Sequence, residues 1–114
     1  MKKALVLMTL VSAVSLNAGA AGKIEAGKAL VAKYSCATCH GKDFNSPIDP
    51  SYPKLAGQHV SYLEHALTAY KRGEAGYGRN NPIMVGQAKV LSDKDVKDIA
   101  AYLHSLPATL VLQK

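Results

Sequence analysis

Apolar residues recur along this chain in three stretches with helical spacing. In the first, Gly22–Tyr34, the residues Ile24, Gly27, Leu30, Val31 and Tyr34 fall three or four apart, with Lys28 and Lys33 between them. The second starts near Gln58 or His59 and runs to Arg72. Val60, Leu63, Leu67 and Tyr70 line one side, and Glu64, Lys71 and Arg72 face solvent. Gly73 follows as a terminator. The third opens at Ser92, an N-cap residue with Asp95 three positions on, an acidic variant of the capping box. Val96, Ile99, Ala100 and Leu103 form its apolar face, and Pro107 ends it.

Between these stretches the period disappears. Gly41–Gly57 holds Pro47, Pro50 and Pro53 together with Asn45, Ser46, Asp49 and Ser51, so it reads as a loop. A loop this long in a compact domain is expected to wrap something or to serve a function. Tyr77–Gly86, rich in Gly and Asn, reads as a second irregular segment. Neither strand pairs nor internal repeats emerge, and the pattern predicts an all-α fold.

The chain of 114 residues allows one domain. Its start has the form of an export signal: Lys2 and Lys3, an uncharged apolar run Ala4–Leu16, then Ala18-Gly19-Ala20. Cleavage is expected after Ala20, with Ala18 and Ala21 as alternatives, leaving 21–114 as the mature domain in the periplasm. An uncleaved anchor is the competing reading, although Ala4–Gly22 is barely long enough to cross ~30 Å of hydrocarbon. The formal charge of +6 becomes +4 without Lys2 and Lys3. A mildly basic protein of this kind suits an acidic partner or an anionic membrane surface. It lacks the dense Lys/Arg patterning of a nucleic-acid binder.

Both cysteines of the chain lie in Cys36-Ala37-Thr38-Cys39-His40. This is C-x-x-C-H, the attachment signature of a c-type haem. Two thiols three positions apart can each form a thioether to one vinyl group of the porphyrin, and the adjacent imidazole then falls beneath the iron. The sixth ligand decides between electron transfer and ligand chemistry. Met1 and Met8 fall in the leader, so Met84 is the one methionine of the mature chain. It is the expected ligand, against the ordinary use of methionine as a gap-filler. His59, His65 and His104 are the rivals.

These residues resemble the class I cytochromes c, and in particular the bacterial periplasmic mono-haem proteins and one lobe of the di-haem cytochromes c. The resemblance covers the whole mature chain. It is carried by Cys36–Gly41, by Tyr52–Gln58, by Asn81-Pro82-Ile83-Met84, and by Leu91-Ser92-Asp93 leading to Ile99–Leu103. It implies a class I cytochrome c fold of short helices and loops around one covalent haem c. It further implies that Gly27 meets Tyr102 where the terminal helices cross, that the Pro53 carbonyl accepts the His40 Nδ1–H, and that Leu55 packs on the haem face. Tyr52, Gln58 and Arg79, in the flanking loops, are the candidates for propionate contacts.

The expected function is a periplasmic one-electron carrier with His40 and Met84 as axial ligands. Its partners would be other redox proteins, such as membrane oxidases or reductases and periplasmic enzymes, steered by Lys33, Lys42, Lys54 and Lys89. Pairing with a second copy stays open. One alternative is a haem enzyme or a gas or peroxide sensor with a displaceable Met84. A thiol–disulfide oxidoreductase is the remote alternative, since C-x-x-C serves that chemistry in a βαβ setting.

Overall fold

The structure, a computed structural model, describes residues 21–74 and 78–109. The expected leader, residues 1–20, and Tyr77 of the second irregular segment lie outside the described residues. Within them the chain forms five helices and no strand: α1 (Ile24–Lys33), α2 (Ala37–His40), α3 (Val60–Arg72), α4 (Pro82–Lys89) and α5 (Asp93–Ser105). No helix among the described residues is long and apolar enough to cross a membrane.

α5 begins as its sequence dictates. Ser92 Oγ accepts from the Asp95 N–H at 3.0 Å, and the Asp95 carboxylate accepts from the Ser92 N–H at 2.9 Å. The reciprocal pair satisfies two backbone donors that a helix start leaves orphaned. Val96, Ile99, Ala100 and Leu103 are buried and form the spine of the core.

α1 packs across α5, and Gly27 is where they meet. A Cβ at Gly27 would lie 1.9 Å from the Asp98 carbonyl oxygen and 2.7 Å from Tyr102 Cβ. Only a residue with no side chain permits that approach, which accounts for a glycine that costs about 1 kcal/mol in helix propensity. The start of α1 has no side-chain cap of its own. The Lys23 N–H donates instead to the buried Asp98 carboxylate at 2.7 Å, and Lys94 pairs with the same group. Ile24, expected on the apolar face, is about half exposed.

The long loop folds back on α5 around Phe44. This ring is only 2% exposed and stands edge-on to Tyr102, with centroids 6.3 Å apart. The Phe44 carbonyl accepts from the N–H groups of Leu55 and Ala56. Asn45, also buried, donates to the Pro107 carbonyl at 2.9 Å and accepts from the Thr109 N–H. The loop is therefore stapled to the far end of α5.

One segment differs from its sequence expectation. Pro82–Lys89 is helical where an irregular segment was predicted. Asn81 caps it, its side-chain oxygen accepting from the Ile83 and Met84 N–H groups at 3.1 and 3.2 Å. Pro82 occupies the first helical position, where the missing N–H costs nothing and the fixed φ is already helical. The residues that suggest a turn are here a helix start.

Candidate haem site

Helices α1, α3, α4 and α5 surround an apolar cavity of about 680 Å³, counting the space at its open mouth. Cys36, Cys39, His40, Leu55 and Met84 all line it. Val31 contributes from α1, Tyr34 from the residue that caps its C-terminal end, Leu67 from α3, and Ile99 and Leu103 from α5.

The motif is held from both sides. The Cys36 N–H donates to the Val31 carbonyl at 3.0 Å, and the Ile48 N–H donates to the Cys39 carbonyl at 3.1 Å. Gly41, immediately after His40, has φ +88°, and a Cβ there would come 2.2 Å from the Ser46 carbonyl oxygen. A side chain at this position would be both strained and obstructed.

His40 is 6% exposed, and its Nδ1 lies 3.0 Å from the Pro53 carbonyl oxygen. A carbonyl can only accept, so Nδ1 carries the proton and Nε2 keeps a free lone pair. Cys36 and Cys39 are free thiols at the cavity wall, both partly exposed. Burial pushes the Cys36 thiol above its ordinary pKa. That is the opposite of the lowered thiol of a disulfide exchanger, and the five helices offer C-x-x-C no βαβ setting among the described residues.

Met84 is half-buried on α4 and faces the cavity. His59, His65 and His104 are exposed and do not line it. His104 Nδ1 donates instead to the Gln58 carbonyl at 2.7 Å. The three propionate candidates also stay off the cavity wall. The Tyr52 ring sits 6.4 Å from that of His40. The Arg79 guanidinium lies over the rings of Tyr62 and Tyr70. Sequence reasoning missed Tyr34 and Gln87 on the cavity wall, and Phe44 and Asn45 in the loop that carries the Pro53 carbonyl. An isolated phenylalanine in a Pro- and Ser-rich loop was the available signal for that anchor.

The donor set fits a covalently held haem: two unpaired thiols, one imidazole with a free nitrogen, and one thioether around an apolar slot. Helices folded about such a slot define a c-type haem protein, with the porphyrin fixed at Cys36–His40. The chain belongs to the cytochrome c family, whose profile matches residues 24–107.

It is similar to cytochrome c4 of Stutzerimonas stutzeri, 44% identical over 110 residues that cover 92% of this chain and 51% of that protein. Cytochrome c-554(548) of Halomonas halodenitrificans is 44% identical over 71 residues, covering 62% of this chain and 83% of that protein. The crystal structure of reduced recombinant cytochrome c4 from Pseudomonas stutzeri superimposes with a TM-score of 0.68 at 43% identity, over 76% of this chain and 47% of that one. The chain thus spans about half the length of the cytochrome c4 relatives it matches. The family and the C-x-x-C-H motif together give one covalent haem c.

Proposed function

We propose that residues 21–114, after removal of residues 1–20 on export, form a periplasmic one-electron carrier. The bound haem supplies the chemistry, a one-electron change at iron whose potential its axial ligands set. Cys36 and Cys39 hold the porphyrin through thioethers. His40 offers Nε2 to the iron, and the Pro53 carbonyl fixes the imidazole tautomer and ring plane. Met84 would hold the iron through its thioether sulfur, a donor that raises the potential. Leu55, on the cavity wall, would pack against the porphyrin and help keep water out.

The observation that carries this reading is the sharing of one cavity by His40 and Met84. A chain that fills both axial sites itself leaves no coordination position for a substrate, which suits a carrier better than an enzyme or sensor. Redox partners with acidic surfaces would be drawn to the exposed Lys33, Lys42, Lys54 and Lys89, and association should slow as salt is added.

The test is the mass and visible spectrum of protein isolated from the periplasm, beside a Met84→Leu variant. The expected mass is residues 21–114 plus one haem. The ferric wild type should show the weak long-wavelength absorption of thioether-ligated iron, and the variant should lose it and bind exogenous ligands. A ferric wild type that lacks this absorption and binds peroxide or a small gas directly would replace the carrier with the enzyme or sensor reading.

A further inference from the structure

The segment that delivers Met84 is fastened by a residue outside the ligand set. The Arg79 N–H donates to the Ala69 carbonyl of α3 at 3.0 Å. Its guanidinium carbon lies 5.7 Å from the Tyr62 ring centroid and 5.4 Å from that of Tyr70, so it bridges two rings of one helix. Both distances fall within cation–π range. Two positions further on, Asn81 accepts from the backbone N–H of Met84 itself. A short run of chain therefore connects the clasp on α3 to the sulfur-bearing residue. A planar guanidinium suits this place, because it can meet two aromatic faces at once, which a lysine ammonium does less well.

We propose that Arg79, clasped by Tyr62 and Tyr70, is a positioning residue that holds the start of α4 against α3 and so keeps Met84 in the haem cavity. The inference rests on the reading of Met84 as axial ligand. It gives Arg79 a role other than pairing with a propionate, in keeping with its place off the cavity wall.

The experiment titrates ferric holoprotein with imidazole, which competes with Met84 for the iron. Wild type is compared with Arg79→Leu, Arg79→Lys and the double variant Tyr62→Leu/Tyr70→Leu, and hydrogen exchange of α4 amides is followed in parallel. Arg79→Leu should bind imidazole about tenfold more tightly, in proportion to two exposed cation–π contacts. The tyrosine pair should reproduce the effect, and combining it with Arg79→Leu should add little, since both break one connection. Arg79→Lys should recover part of the wild-type behaviour. Exchange should quicken in α4 and stay unchanged in α5.

Unchanged imidazole affinity and α4 exchange in Arg79→Leu would overturn the clasp. If the reduction potential moved while those two readouts did not, propionate pairing would take its place. A wild type without the thioether absorption would instead refute Met84 ligation, and the clasp with it.

Discussion

Replacing Gly27 by alanine sets two effects of opposite sign against each other. Helix propensity alone favours the variant by about 1 kcal/mol. Packing opposes it, because the new methyl would stand 1.9 Å from the Asp98 carbonyl oxygen, 2.6 Å from its carbon and 2.7 Å from Tyr102 Cβ. Ordinary contact begins near 3.4 Å, so α1 must retreat by about 1.5 Å, the difference between 3.4 and 1.9. The obstructing atoms are backbone and a Cβ, and none can swing aside.

Overpacking of this kind costs roughly 1–3 kcal/mol. The retreat also breaks the Lys23 N–H bond to the Asp98 carboxylate, and bonds to charged groups are worth about 1.5–3 kcal/mol. Subtracting the propensity gain leaves a net loss of about 1.5–5 kcal/mol. Urea unfolding of the holoprotein, followed by far-ultraviolet circular dichroism, should show a lower midpoint with an unchanged slope. A variant as stable as wild type, or more so, would refute the close crossing of α1 and α5.

Gly86 gives the opposite expectation. A Cβ there meets nothing within 4 Å, so Gly86→Ala should stabilise α4 by about 0.5–1 kcal/mol, read as a higher urea midpoint. Asp98 should govern acid stability. Lys94, and after it the Lys23 N–H, hold its carboxyl below the ordinary range. Its contribution is therefore complete above the unfolded value of about 3.9 and disappears as pH falls through the lower folded value. Asp98→Asn should cost about 1–3 kcal/mol at neutral pH and flatten the fall in urea midpoint below about pH 4. Asn45→Ala should lose a similar amount, about 1–3 kcal/mol, by freeing the Pro107 carbonyl and the Thr109 N–H. Exchange at Thr109 should accelerate first.

What was readable in the sequence was local. The capping box at Ser92–Asp95 spans four residues and C-x-x-C-H spans five, so each carries its own chemistry without knowledge of the rest of the chain. The boundaries of α3 followed from its apolar period in the same way. α4 was hidden because Asn and Pro also begin turns, and only their order, cap and then first helical position, marks a helix. The contact of Gly27 with α5 came from family resemblance, since the glycine itself says only that something passes close. The contacts of Phe44 and Arg79 were beyond reach for a different reason. Their partners, Tyr102 and the Tyr62–Tyr70 pair, lie on other elements, and no periodicity in a loop announces which helix will receive it.

The meeting of α1 and α5 also bears on how the chain reaches this state. Lys23 and Asp98 are 75 positions apart, so the helices close on one another through a contact between α1 and α5. Helical bundles usually fold fast because their contacts are local. Here the closing loop carries an entropy cost about 2 kcal/mol above that of a ten-residue loop. α2 and the capped start of α5 can form early, each from neighbouring residues. The cavity they face is complete only once α1 and α5 have met. Without that meeting the cavity beside the two thiols would stand open, so the contact between α1 and α5 is also the one that closes the haem site.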